Sequence, residues 1–184
     1  MTYISMLRGI NVGGHNQIKM EPLRQMYIGM GFTFVQSFIQ SGNIIFNASD
    51  TDKIDLEESI SDTIFLTFGI RIATIVLTSE ELGNALKNNP YSSDLSRDTA
   101  RIYFTFLSKV PDMKLLGTVP PAFYAPDEFS YLDKVIYNYC PNGYGNTKLT
   151  NTFFENKLKI SATSRNLKTV TELFTLAQKV QTTF

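Results

Sequence analysis

Gln40-Ser41-Gly42-Asn43 stands between two short apolar runs, Phe34 to Ile39 and Ile44 to Phe46, and reads as a hairpin turn in which Gly42 supplies the permissive dihedrals. That turn constrains the fold more than any other stretch. A parallel, doubly wound sheet has no place for a tight hairpin between its strands. Upstream, Tyr3 to Leu7 is a buried first strand, and a glycine-bearing loop ends it. Pro22 then lies in the first turn of a helix, Leu23, Met26, Tyr27 and Met30 make one apolar face, and Gly31 sits where the helix should end. Downstream, Asp50 and Asp52 lead a longer helix to Phe68, with Leu56, Ile60, Ile64 and Phe68 on its inner face and Gly69 at its end. Ile72 to Leu77 is a fourth strand. The order βαββαβ predicts an α+β fold whose first part, residues 1–78, is ferredoxin-like: a four-stranded antiparallel sheet with both helices on one face.

Residues 79–184 read as a second, smaller α+β part. Thr78-Ser79-Glu80-Glu81 is a capping box and starts a helix from Ser79 to Lys87. Asn88 to Ser93 is the best linker candidate. Ile102, Phe104 and Phe106 alternate along a fifth strand, a short helix follows Pro111, and Pro120 to Pro126 is a stiff crossing loop. Phe129 to Tyr131 and Ile136 to Tyr139 form a hairpin turned at Asp133-Lys134. Two helices close the chain, Lys148 to Leu158 and Asn166 to Val180, the last opened by Thr163-Ser164-Arg165-Asn166. The order β-α-β-β-α-α partly echoes the first part, although no residue pattern repeats.

Composition removes several classes of function. The single cysteine, Cys140, excludes an internal disulfide framework and fits a reducing cytoplasm. One His and one Cys argue against a dedicated metal site, and no cofactor is expected. No apolar run approaches the roughly 18 residues that cross a bilayer, and Arg8 with its Gly/Asn loop interrupts the stretch a signal peptide needs, so neither membrane nor export is expected. The formal charge is zero but uneven. Residues 48–100 carry ten acids against four bases, whereas six bases face two acids after Cys140. Both ends of the chain are therefore basic, which suits an anionic partner.

Polar clusters concentrate where strands end or helices begin. The first holds Arg8, Asn11, Gly13, Gly14, His15 and Lys19, and the second holds Gln40, Ser41 and Asn43. The third runs from Asn142 to Asn151 with Lys148 and Asn151, and the fourth contains Arg165 and Asn166. Lys148 and Arg165 are read at helix N-termini, where a cation is unfavourable by roughly 0.3–1 kcal/mol unless an anion offsets it. None of the glycine patterns matches a dinucleotide or phosphate-loop motif. His15 has no carboxylate partner nearby in sequence, and Cys140 reads as a core residue.

Leu7-Arg8-Gly9-Ile10-Asn11-Val12-Gly13-Gly14, Lys19-Met20 and Ile39-Gln40-Ser41-Gly42-Asn43 resemble the hallmark of a widespread bacterial family of unknown function. Tyr144 to Asn151 and Thr163 to Val170 are similar to its C-terminal signatures. The resemblance implies a cytoplasmic α+β protein with a ferredoxin-like N-terminal part, and no activity.

Three readings of function follow. In the first, the loops converge on a phosphate-bearing ligand, a nucleotide or a nucleic-acid end; Arg8, Lys19, Lys148 and Arg165 supply charge, and Asn11, Gln40, Asn43, Asn151 and Asn166 supply orienting hydrogen bonds. In the second, an enzyme of phosphoryl-transfer or hydrolytic type works at the same cleft with His15 as proton carrier. In the third, the loops are structural parts of an oligomeric scaffold. The scarcity of acids in the clusters favours binding.

Overall fold

The computed structural model describes residues 1–181, Met113 and Gln181 by their backbone alone; the last three residues of the expected second part lie outside them. The chain divides into two compact units, Met1–Gly83 with Glu172–Phe184, and Asn84–Thr171.

The first unit carries β1 (Thr2–Leu7), α1 (Met20–Gly29), β2 (Thr33–Phe38), β3 (Asn43–Asn47), α2 (Lys53–Phe68) and β4 (Thr74–Thr78), and α3 (Ser79–Lys87) follows. The strands lie in the order β2-β3-β1-β4, every pair antiparallel, which is the ferredoxin-like arrangement. Tyr3, Leu7, Ile44, Phe46 and Val76 of the sheet share one core with Leu23 and Tyr27 of α1 and Leu56, Ile60 and Ile64 of α2, so both helices cover the same face. Phe46 is its aromatic centre, with ring centroids of Tyr27 at 5.4 Å and Tyr3 at 5.8 Å. The Tyr27 hydroxyl is satisfied there by Ser5 Oγ at 2.8 Å, and burial raises its pKa.

Local chemistry sets the boundaries. Asp52 caps α2 by accepting from Ile54 N–H at 2.7 Å, and Gly69 ends it at φ 71°. At α3 the capping box is reciprocal: Thr78 N–H donates to Glu81 Oε2 at 2.9 Å and Glu81 N–H to Thr78 Oγ1 at 3.1 Å. Strand edges are managed as well. Glu57 of α2 accepts from Val76 N–H on β4 at 2.8 Å, and β2 is bulged at Phe34, φ 51°.

The second unit contains β5 (Ile102–Leu107), α4 (Met113–Leu116), α5 (Pro121–Tyr124), β6 (Glu128–Leu132), β7 (Val135–Tyr139), α6 (Asn151–Leu158) and β8 (Ala162–Asn166), and α7 (Leu167–Gln181) begins in it. Its strands lie in the order β6-β7-β5-β8, again all antiparallel. Four details differ from the sequence reading. Thr163-Ser164-Arg165-Asn166 belongs to a strand instead of a helix, because the segment pairs with β5 from Leu107↔Ala162 to Tyr103↔Asn166. The helix expected from Lys148 starts at Asn151, since Thr150 takes the cap by accepting from Phe153 N–H at 3.1 Å. Within the proline-rich crossing, Pro121–Tyr124 forms one helical turn, followed by a cis Ala125-Pro126 bond. The Asn88 to Ser93 stretch is a packed turn: Asn89 and Tyr91 are buried, and Asn89 binds both Tyr91 N–H and Ser92 Oγ.

With β8 in place, the two units share one topology, and the repetition reaches single hydrogen bonds. Leu7 N–H donates to Gly42 O at 2.8 Å and Arg8 N–H to Ala73 O at 2.9 Å; correspondingly, Leu107 N–H donates to Lys134 O at 2.9 Å and Ser108 N–H to Ser161 O at 3.0 Å. Each fourth strand passes straight into a helix capped by its own last residue. Thr78 accepts from Glu81 N–H, and Asn166 Oδ1 accepts from Thr169 N–H at 2.8 Å. The repeated pattern sits in the backbone, which explains why residue identities did not betray it.

Candidate functional site

The loop between β1 and α1 is built from residues in left-handed conformation: Gly9, Asn11, Gly13, Gly14 and Asn16 all have positive φ. Two backbone hydrogen bonds, Asn11 N–H to Asn16 O and His15 N–H to Val12 O, and the Asn16 side chain, donating to Gly9 O at 3.4 Å, hold the loop internally, and Asn11 fastens it further. Asn11 Nδ2 donates to Ile18 O at 2.9 Å and to Gln40 O at 2.6 Å, while its Oδ1 accepts from Ile18 N–H at 2.9 Å. The first of these closes the loop on itself; the second fastens it to the β2–β3 turn. Gly42 completes the joint, because a Cβ there would lie 2.6 Å from Ile10 Cδ1 and 2.8 Å from Leu7 Cβ. Ile10 and Ile18 are buried beneath the loop.

This joint frames an open hollow of about 320 Å³ lined by Asn11, Gly14, Gln17, Ile18, Lys19 and Gln40. Lys19 immediately precedes α1 and caps nothing with its side chain. The nearest acid along the chain, Glu21, is taken instead by Arg24 and by Gln25 Nε2 at 2.9 Å. Those contacts, Gln25 first and then Arg24, hold the Glu21 carboxyl below its usual range. Among the described residues the Lys19 ammonium makes no ion pair or hydrogen bond, while its carbonyl accepts from Leu23 N–H at 3.3 Å. Gly14 N–H likewise has no partner in the described chain, and a Cβ on Gly14 would meet nothing within 4 Å. The hollow thus offers one cation, one backbone donor and two side-chain amides, with no carboxylate in its lining.

The other residues singled out in the sequence have these places. Asn43 is buried in the turn, where its Nδ2 donates to Phe38 O at 3.3 Å and Ser41 Oγ at 2.8 Å. Arg8 is half-buried at the end of β1, and its N–H pairs with Ala73 O. Gly13 and His15 form the exposed tip of the loop, where His15 N–H donates to Val12 O at 3.0 Å. In the second unit, Lys148 Nζ donates to Phe123 O at 2.8 Å and lies 4.9 Å above the Phe123 ring. Arg165 lies on β8 with Nη1 donating to Thr163 Oγ1 and Ser164 O, both at 2.8 Å; burial pushes its pKa down to about 10, with the neighbouring Tyr144 opposing. Arg165 stands on β8 directly before the cap of α7, and Lys148 two residues before the cap of α6, so both cations precede their helices instead of lying in the first turns. Asn166 is the cap of α7, and Asn151 Oδ1 accepts from Ser164 Oγ at 2.5 Å and Tyr144 OH at 3.4 Å.

Sequence reasoning passed over Gln17 and Ile18, which line the hollow, and a buried polar cluster in the second unit. There Thr105 Oγ1 lies 2.6 Å from Ser164 Oγ and accepts from Asn138 Nδ2 at 2.9 Å, and Tyr144 OH donates to Ser164 Oγ at 2.8 Å. Asn138 was the visible signal, a polar residue within the apolar run Ile136 to Tyr139. Cys140 is buried, which pushes its thiol up to about 11 despite a hydrogen bond with Thr147.

A family model described as "Protein of unknown function (DUF1697)" matches residues 1–137. The chain belongs to that family. The matched residues include both loops that frame the hollow. The chain is also similar to a solved structure titled "The structure of conserved bacterial protein SP0830 from Streptococcus pneumoniae", at 25% identity and a TM-score of 0.73, over 96% of this chain and 98% of that one. No curated protein matches. Among the described residues, no helix is long and apolar enough to cross a membrane.

Proposed function

We propose that the hollow between the first loop and the β2–β3 turn binds the phosphate group of a small ligand. The observation that carries this reading is an unpaired cation, Lys19, beside an unpaired N–H, that of Gly14, on a loop already fixed by Asn11. A loop so fastened loses little further freedom when a ligand arrives. Lys19 supplies charge, Gly14 permits close backbone approach, and Gln17 and Gln40 orient the bound oxygens. The start of α1 adds the positive end of a ten-residue helix. A volume of about 320 Å³ lies at the low end of the roughly 300–1,000 Å³ usual for small-molecule sites, so a small ligand suits it better than a polymer. Zero net charge also disfavours tight, non-specific binding of nucleic acid.

The test is thermal unfolding with and without inorganic phosphate or ribose 5-phosphate. Wild type should gain stability with rising ligand concentration. Lys19→Ala should lose that gain while the unliganded variant melts with wild type, because the Lys19 ammonium has no partner to forfeit. A ligand-induced shift that persists in Lys19→Ala, or no shift in wild type, would reject the site.

A further inference from the structure

Another hollow, of about 410 Å³, opens in the second unit, and Pro121, Tyr124, Pro126, Asp127, Glu128 and Phe129 are in its lining. Asp127 N–H donates to Tyr124 O at 2.8 Å, which closes a turn between them. Asp127 is only 8% exposed. Its Oδ2 accepts from Thr147 Oγ1 at 2.5 Å, and Thr147 is buried as well. Asp127 Oδ1 has no hydrogen-bond or ion-pair partner among the described residues. The side-chain atom among them that is both fully buried and unpartnered is Asn138 Oδ1, so Asp127 Oδ1 keeps a small contact with solvent. The hollow that Asp127 lines is where it does so.

A carboxylate so nearly withdrawn from water is costly unless a cation or several donors replace its hydration, and one hydroxyl is a poor replacement. Among the described residues no Lys, Arg or His lines the hollow. Glu128, the other acid there, is already matched: Arg97 Nη1 and Nη2 donate to its two oxygens at 3.0 and 3.1 Å. Lys148 Nζ is engaged elsewhere, on Phe123 O. Beside Asp127 in the lining are the rings of Tyr124 and Phe129, edge to face with centroids 5.1 Å apart. Both rings pack on the core of this unit, which holds them in place.

We infer that this hollow binds the primary alkylammonium group of a small molecule. The ammonium donates a charge-assisted hydrogen bond to Asp127 Oδ1, and the π-electrons of Tyr124 and Phe129 add to the attraction. The methylenes of the ligand cover Pro121 and Pro126 and remove apolar surface from water. The volume falls within the roughly 300–1,000 Å³ usual for small-molecule sites. This site is independent of the phosphate reading, because its lining belongs wholly to the second unit.

Two-dimensional NMR of the full chain near neutral pH tests it, with pentylammonium chloride, 1-pentanol and sodium chloride as titrants. Amide shifts between Ala122 and Phe129 should saturate with pentylammonium. Its affinity should exceed that of 1-pentanol about tenfold, the advantage of a charged hydrogen bond over a neutral one. That preference should vanish in Asp127→Asn, whose amide oxygen still accepts from Thr147. It should persist in Asp133→Asn, which removes a carboxylate from an exposed turn of the same unit. Tyr124→Leu keeps the carboxylate but loses a ring, and should bind pentylammonium severalfold more weakly. No saturable shift in wild type, the same shifts from sodium chloride, or equal affinities for amine and alcohol overturns the site. So does a preference that survives in Asp127→Asn, or an affinity undiminished in Tyr124→Leu, the latter even if Asp127→Asn does not fold. None of these outcomes bears on Lys19 or on phosphate binding.

Discussion

Asn11 and Gln40, 29 residues apart in sequence, are joined by a hydrogen bond of 2.6 Å from the Asn11 side-chain amide to the Gln40 backbone carbonyl. The same amide group makes two further bonds to Ile18, so one residue both shapes the first loop and fixes it to the neighbouring turn.

Replacing Asn11 by Ala should therefore destabilise the protein by about 2–4 kcal/mol, from three hydrogen bonds worth roughly 0.5–1.5 kcal/mol each and the strain of Ala in the left-handed region. Asn11→Gly forfeits the same bonds but accepts φ 54° without strain. Urea titration should place Asn11→Gly between Ala and wild type. Equal midpoints for the two variants would show that backbone strain does not contribute.

Gly42 and Gly14 share positive φ but differ in surroundings. A methyl group at Gly42 would collide with Ile10 and Leu7 at 2.6–2.8 Å, whereas at Gly14 it would enter open space. Gly14→Ala should cost about 1–2 kcal/mol, the strain alone. Gly42→Ala should cost about 1–3 kcal/mol more, since overpacking adds to strain. Comparable denaturation midpoints would mean that the loop and the turn are not packed as described.

The Cys140 thiol provides a pH-dependent probe of the second unit. Burial raises its pKa from the ordinary 9.0 to about 11, so the native state retains this proton longer than the unfolded chain does. The contribution is complete below about pH 9 and is lost as pH rises towards 11, of the order of 2 kcal/mol in all. Cys140→Ala should lower stability at neutral pH through its smaller volume, yet flatten the decline above pH 9. Thiol labelling of wild type at pH 8 should be no faster than unfolding. Rapid labelling of native protein would contradict the burial.

Local punctuation was legible in the residues alone. Asp52, Gly69, Gly31 and the Thr78–Glu81 box mark helix ends because their groups act within three or four residues. The turns at Gln40–Asn43 and Asp133-Lys134 closed two hairpins for the same reason. From these marks the first βαββαβ order could be read directly. Tertiary structure decided β8, since Thr163 to Asn166 carry no alternation of their own and become a strand only because β5 offers an edge sixty residues away. It also left Lys148 and Arg165 ahead of their helices, because Thr150 took one cap and the sheet took the segment up to the other cap, Asn166. The hollow divides along the same line. Asn11, Gly14, Lys19 and Gln40 were visible as polar loop residues, but their meeting depends on a side chain reaching another loop. Gln17 and Ile18 carried no mark in the sequence, because only that closure brings them to the rim of the hollow.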